Sequence, residues 1–408
     1  MKPSVVAGLD LGSTKTCAVI GEVVGDRRHP GLKVLGVGVA RSKGVRRGMV
    51  RDIEETTRAI TQAMRDAERM AGVEVGQVYC GIAGEHVQTL NEDGLASVTG
   101  SEITRSDVQR VDDVATAVNL GADHELLHAI PQEYKVDSQG GISDPVGMTG
   151  LRLEVDMYLV SVQATAAQNL RRAVERAGAR LAALVLEPLA AALAVLTEEE
   201  RELGCCLVEL GGGSTNLAVF QGDKIRHYAS LRFAGSHVTN DIVQGLGVTQ
   251  GDAERLKERA GVAYSPLVDP DEMIDLPSTP GQGARQAKRE LLAHIIHQRI
   301  DEILGLVQQD LEQAGFTGRL PAGAVLTGGG AHLAGIVELT REVLAMPVRQ
   351  GIPGRHISGL VDSVQAPRYA VPVGLALWGG RERHGGRLEH AIGDRWLGPV
   401  KRWLQDFF

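Results

Sequence analysis

At 408 residues the chain is too long for one core and predicts two or more domains. Its 43% hydrophobic and 23% charged residues are ordinary for a soluble globular protein, whereas a net charge of −8 and only 3% aromatics argue against a nucleic-acid binder. Cys17, Cys80, Cys205 and Cys206 sit in apolar runs without metal-ligand spacing, which reads as small core residues in a reducing compartment. No stretch reaches the length of a membrane span and no basic-then-apolar leader opens the chain, so a cytosolic body is expected.

One short pattern occurs twice. The apolar run at 5–11 ends in Asp10-Leu11-Gly12-Ser13-Thr14-Lys15, and a second apolar run follows at 18–24. The run at 205–210 ends in Glu209-Leu210-Gly211-Gly212-Gly213-Ser214-Thr215, and 217–220 follows. Glycine is needed where two strands turn tightly around a phosphate, because only backbone without a side chain lets several N–H groups approach it. The Ser and Thr hydroxyls add donors, and the acids Asp10 and Glu209 are placed to hold a magnesium ion through its waters. A third cluster, Gly328-Gly329-Gly330 after Val325-Leu326-Thr327, reads as a strand-to-helix turn that presents N–H groups to a ligand. Two facing hairpins predict a duplicated α/β fold that clamps a nucleotide between its halves.

Along the chain, a third strand is expected near 32–39, then a helix capped by Asp52 with Glu55 reciprocating. That helix should bury Ile53, Thr56, Ile60, Met64, Ala67 and Met70, and stop before Gly72. From 77 to 162 the texture changes to short strands and helices, with a helix at 106–119 and a strand at 151–162, and reads as an inserted subdomain. Thr165 should cap the next helix, 181–186 forms a strand, and Glu187-Pro188 opens an Ala-rich helix. A long helix at 286–314 buries Leu292, Ile295, Ile296, Ile300, Ile303, Leu304, Val307 and Leu311, and Gly315 ends it.

After Trp378 the sequence turns Gly/Arg-rich, a flexible linker by composition. Beyond it, Trp396, Leu397, Val400, Trp403, Leu404, Phe407 and Phe408 fall within an arc of roughly 140° on a helical wheel. Lys401 lies at the rim, where it can snorkel. The chain has three Trp and five Phe, and puts two of each in its last thirteen residues. A core helix does not usually need a tether, so the tail is expected to fold onto an anionic membrane surface. One copy binds weakly, and useful attachment then requires a polymer.

These residues resemble FtsA, the actin-like bacterial division family that ties the FtsZ ring to the membrane. The resemblance also rests on Ser42-Lys43-Gly44-Val45-Arg46-Arg47-Gly48, Pro131-Gln132-Glu133-Tyr134, Asp144-Pro145-Val146-Gly147-Met148, Leu186-Glu187-Pro188-Leu189-Ala190 and Val238-Thr239-Asn240-Asp241-Ile242. It implies a two-lobed, duplicated ribonuclease-H-like ATPase fold, with an inserted subdomain 1C where actin has 1B. The implied division is 1–76, 163–203 and 360–380 for subdomain 1A, 77–162 for 1C, 204–244 and 315–359 for 2A, and 245–314 for 2B. A linker at 381–394 and a membrane-targeting helix at 395–408 complete it. The resemblance further implies ATP with Mg2+ between the lobes: Gly12 to Lys15 on one side of the phosphates, Gly211 to Thr215 on the other, and Gly235, Glu254, Lys257 and Gly328 to Gly330 around the adenosine. Its implied partners are the FtsZ C-terminal peptide, other copies of the chain, and further division proteins through 1C. Arg285, Lys288 and Arg289 would suit that acidic peptide.

Two residues depart from the family pattern, which has Asp where this chain has Glu209 and Asn216. Asn216 cannot act as a carboxylate base, so hydrolysis is expected to be weak or absent, with Glu187 the remaining candidate to orient water. A PilM-like adaptor of type IV pili is the competing reading; that family shares the fold but lacks a Trp/Phe-rich tail. A sugar kinase or chaperone-type ATPase is a third. No substrate-binding carboxylate motif supports the kinase, and too few residues follow Trp378 for a peptide-binding domain.

Overall fold

The structure, a computed structural model, describes residues 4–25, 30–277, 285–354 and 356–383. The predicted tail helix at 395–408, with its membrane-facing residues, lies outside them, as does most of the linker.

Two sheets repeat one topology. The first places strands in the order Arg180–Leu186, Gln77–Ile82, Val5–Leu11, Lys15–Gly25, Pro30–Arg41 and Ile357–Gly359. The second runs Val348–Gln350, Ala324–Thr327, Cys205–Leu210, Thr215–Gln221 and Lys224–Leu231. In each, an antiparallel three-strand meander carries a glycine turn between its first two strands, and two parallel strands extend the first one's other edge. The central strands are apolar nearly throughout because both of their faces are covered.

Helix Ile53–Ala71 covers one face of the first sheet, burying Thr56, Ala59, Ile60, Ala63, Met64 and Ala67. Asp52 caps it as expected, but Glu55 does not reciprocate: the Asp52 N–H is taken by the Gly44 carbonyl at 3.1 Å, and Glu55 pairs with Arg58. Met70 is 52% exposed rather than in the stripe, its Sδ accepting from the Val37 N–H. On the other face lies the helix Ala370–Arg383. A Cβ on Gly374 would sit 1.9 Å from the Ala190 carbonyl oxygen, and one on Gly8 would sit 2.1 Å from that of Pro372. Backbone therefore meets backbone where this helix crosses the first strand and the helix Glu187–Val195.

The inserted unit is a four-stranded sheet, Val87–Ser97, Arg152–Gln163, His124–Val136 and Gln139–Ile142, with helix Arg105–Thr116 on one side. Its small core includes Val111, Leu153, Met157 and Leu159. Thr104 and Asp107 form the capping box of its helix. The following helix starts at Ala164 with Gln163 at its cap and no side-chain bond, so Thr165 falls inside the first turn.

In the second lobe the long helix spans Arg289–Gln313, three residues shorter at its start than the periodicity predicts. Residues Arg285–Lys288 pair instead as a strand with Met273–Leu276. Its buried residues are the expected stripe except Ile295, which is half-buried, and Gly315 follows the helix at φ 77°. All four cysteines are free and buried.

Candidate functional site

The two glycine turns meet face to face. Each closes an antiparallel strand pair, with Asp10 opposite Cys17 in the first and Glu209 opposite Asn216 in the second. A Cβ on Gly212 would lie 2.5 Å from the Thr14 methyl, and one on Gly213 would lie 2.2 Å from Ser13 Oγ. Only glycine allows that approach, and it brings the sequence-predicted residues Gly12 to Lys15 and Gly211 to Thr215 into one cleft. Gly211 N–H closes its own turn on the Ser214 carbonyl at 3.1 Å, while Thr215 Oγ1 anchors the strand by donating to the Phe233 carbonyl.

Carboxylates line the base of the cleft. Burial holds Asp10 above the usual carboxylate range, with Lys15 pulling the other way. Glu209 is raised to about 7 by burial and then by Asp10, while Glu187 is raised well above normal by burial, Glu209 and Asp10. These groups therefore share one field. Among the described residues no three His, Cys, Asp or Glu side chains are close enough to hold a metal directly. That donor set suits Mg2+, which keeps several waters and completes its shell with phosphate oxygens.

Lys15 crosses the cleft floor. Its Nζ donates to the Arg368 carbonyl at 2.5 Å, lies 4.0 Å from Asp10 and sits 5.1 Å from the Tyr369 ring centroid. Arg368 lies over the same ring at 5.2 Å. The segment carrying these residues also closes the third glycine cluster, since the Gly328 N–H and Thr327 Oγ1 both donate to the Pro367 carbonyl. Gly328 sits at φ 83°, and the cluster opens a single 3-10 turn, Gly329–His332, rather than an α-helix. A helix proper begins only at Ile336.

On the opposite wall the helix Gly235–Leu246 starts against the second turn, its first two N–H groups bonded to the Gly211 and Gly212 carbonyls. Lys257 donates to the Gly235 carbonyl at 3.2 Å, to Thr239 Oγ1 at 2.8 Å and to Glu254 at 2.8 Å. The structure thus unites Gly235, Glu254 and Lys257, and adds Thr239, which lies in the family motif 238–242.

Sequence reasoning missed Arg47, Arg368, Tyr369 and His332. The Arg47 N–H donates to Ser13 Oγ at 3.0 Å, so the 42–51 loop leans on the first phosphate turn. The cations Arg368 and Lys15 help hold His332 neutral, after burial. The motif 42–48 was the available signal for Arg47; Arg368 is distant in sequence and carried none.

Of the three cations expected to meet an acidic peptide, Arg289 is bound to both Glu272 oxygens, at 2.9 and 2.8 Å, and to the Ala260 carbonyl. Arg285 donates to the Leu246 carbonyl at 2.9 Å. Lys288 is exposed. Asn216, which stands at a candidate catalytic position, is buried and donates to Glu209 while accepting from Ser230 Oγ at 2.8 Å.

A family model described as cell division protein FtsA matches residues 206–374, and one for the SHS2 domain inserted in FtsA matches 84–161. The chain is 39% identical to cell division protein FtsA of Pseudomonas aeruginosa, over 99% of this chain and 98% of that one. The Escherichia coli (strain K12) protein is 36% identical over the same shares. Among solved structures, the PilM-PilN type IV pilus biogenesis complex matches with a TM-score of 0.65 at 18% identity, covering 92% of this chain and 98% of that one. MreB5 of Spiroplasma citri bound to ADP matches at 0.57 and 14%, covering 93% and 98%. These likenesses show an actin-like fold carrying an inserted domain. By sequence, the chain belongs to the FtsA family of cell division proteins.

Proposed function

We propose that this chain is an ATP-binding division protein that polymerises on the inner face of the cytoplasmic membrane and tethers FtsZ filaments there. The observation that carries the reading is the full-length identity to curated FtsA proteins, joined to a cleft in which two Ser/Thr-bearing glycine turns face each other. The inserted unit corresponds to subdomain 1C and contacts further division proteins, and the lobe at 245–314 corresponds to 2B and receives the FtsZ peptide.

Bound in the cleft, ATP with Mg2+ would supply phosphate charge that the two glycine turns can meet from opposite sides. Ser13, Thr14 and Ser214 would offer hydroxyl and N–H donors, Lys15 would exchange the Arg368 carbonyl for a phosphate oxygen, and Thr215, buried with its Oγ1 on the Phe233 carbonyl, holds the strand rather than the phosphate. Asp10 and Glu209 would hold the ion indirectly, accepting hydrogen bonds from its coordinated waters. Gly235, Glu254 and Lys257 wall the adenosine side with Gly328 to Gly330. Asn216 has no carboxylate to accept a proton, and its amide is already engaged, so hydrolysis is weak or absent and nucleotide acts as an assembly ligand. Among the described residues no helix is long and apolar enough to cross a membrane. Attachment is assigned to the amphipathic tail. The pilus reading rests on an 18% likeness, which carries fold alone.

The test is co-sedimentation with anionic liposomes, Mg2+–ATP and added FtsZ, comparing the full chain with one ending at Asp394. The full chain should pellet and bring FtsZ with it, and the shortened chain should leave both in solution. Pelleting of both chains would remove the tail as anchor; pelleting of neither would favour an adaptor of another machine.

A further inference from the structure

Residues 42–52, between strand Pro30–Arg41 and helix Ile53–Ala71, close on the first glycine turn at two points. The Ser42 N–H donates to the Thr14 carbonyl at 3.0 Å, and the Arg47 N–H donates to Ser13 Oγ at 3.0 Å. The chain here folds into a small hairpin, Val45–Arg46 against Met49–Val50, with Arg47 and Gly48 alone at its tip. Both tip residues are left-handed, at φ 51° and 73°. A two-residue tip with two positive φ angles is a type I′ turn, whose first position favours Asn, Asp or Gly. Arginine there carries backbone strain, which persists only where the surroundings hold it.

Three surfaces hold it. A Cβ on Gly213 would lie 3.1 Å from the Arg47 nitrogen, so the second glycine turn lies against the Ser13–Arg47 bond. A Cβ on Gly48 would lie 1.9 Å from the Ala83 carbonyl oxygen, and one on Gly84 would lie 3.0 Å from that of Arg47. Backbone thus meets backbone on both sides of the tip. The third surface is the His86 ring, whose Cε1 would be 3.2 and 2.8 Å from those same two Cβ positions. His86 is 3% exposed and neither ring nitrogen has a partner among the described residues, so the ring supports the tip by shape rather than by bonding. Residues 83–86 are the root of the inserted unit. Strand Val87–Ser97 starts directly after them, and the Gln163 N–H, where strand Arg152–Gln163 leaves the unit, donates to the His86 carbonyl at 3.0 Å.

We propose that the Arg47–Gly48 tip is a positioning element for the nucleotide: seated on the root of the inserted unit, it aims the Ser13 hydroxyl at the phosphates. The chemistry of a hydroxyl decides the direction. It has one hydrogen and two lone pairs, and the Arg47 N–H occupies a lone pair. The bond therefore fixes Ser13 Oγ without using the hydrogen that a phosphate oxygen would take. Arg47 acts through its backbone, so the role needs the left-handed turn and not the guanidinium of this exposed residue. Because the tip is seated on residues 83–86, a shift of that root changes the grip of Ser13, and by reciprocity a bound nucleotide steadies the root. The role of the phosphate rests on the reading of the cleft as an ATP site; the seating of the tip does not.

The experiment is a double-mutant cycle on Mg2+–ATP affinity in the full chain, with Ser13→Ala, Gly48→Ala and the pair, alongside Arg47→Gly. Hydrogen exchange at 84–87 and 163 is followed in parallel. Gly48→Ala sets a methyl against the Ala83 carbonyl and should weaken ATP about tenfold, yet change it less than about twofold in the Ser13→Ala background. Arg47→Gly keeps the N–H and takes φ 51° freely, so its affinity should stay within about threefold of wild type. Without nucleotide, Gly48→Ala should speed exchange of the Val87 and Gln163 N–H groups about fivefold or more, and Arg47→Gly should not. Losses that simply add would show that the tip does not act through Ser13, and an equal loss in Arg47→Gly would make the side chain the ligand; either overturns the positioning role. If Gly48→Ala does not fold, exchange at these sites that slows at saturating ATP in wild type and not in Ser13→Ala supports the role, and equal slowing in both removes it. A wild type that binds no ATP sinks the nucleotide reading and with it the role of Ser13, while the nucleotide-free exchange still decides the seating of the tip.

Discussion

Individual residues in the cleft are held in place by bonds that a ligand can exchange. Lys15 is the clearest case: its amine is held by a backbone carbonyl, a carboxylate at 4.0 Å and the Tyr369 ring, contacts that a phosphate can replace. A charge-assisted bond to phosphate contributes about 1.5–3 kcal/mol. Lys15→Ala should thus raise the ATP dissociation constant about ten- to a hundredfold, with the thermal midpoint little changed. Titration calorimetry reads this directly, and a constant within twofold of wild type would remove Lys15 from the phosphate site.

Among the elements, the strands and turns nearest the cleft were the most legible in sequence. Gly12, Gly211 and Gly328 each end an apolar run, and a turn that tight permits little else. What periodicity could not supply was pairing between distant segments. Residues 285–288 continue a helical pattern, yet Ile274 and Ala287 meet as strand partners, and backbone bonding there displaced the helix start. Asp52 was legible as a cap, while Glu55 was not legible as a bystander, because its rival, the Gly44 carbonyl, is set by a folded loop. Arg368 lies 353 positions from Lys15, beyond any local signal.

The strand His124–Val136 carries a further consequence at this scale. His128 is buried, accepts the Leu186 N–H at 3.0 Å through Nε2 and lies 5.5 Å from the Trp378 ring. Burial lowers its pKa from 6.5 to about 3. Its neutral form favours the folded state, so the contribution is complete above pH 6.5 and is lost as pH falls towards 3. By pH 5 the loss is about 2 kcal/mol from this group. Urea midpoints should fall between pH 7 and 5, and His128→Gln, which keeps an acceptor, should flatten that slope. His86, held at about 4 by burial, leaves a remaining slope. An unchanged slope in the variant would exclude His128 as its source.

Across the whole molecule, both lobes and the inserted unit share contacts around one seam, with Tyr228 among the residues of the core that spans the lobes. The helix Ala370–Arg383 sets a different constraint, in time. Its glycine-mediated backbone contacts with the first strand and with Glu187–Val195 complete the core that holds the first lobe and reaches one face of the second. The second lobe's core, by contrast, is assembled from residues between 206 and 348. On a ribosome the half that begins the protein must accordingly wait, and the half made later is the first able to finish. Chains stalled with residue 365 just outside the exit tunnel should resist protease across 206–348 and be cut within 5–200, whereas release of the full chain should protect both. The N-terminus is read first and folded last.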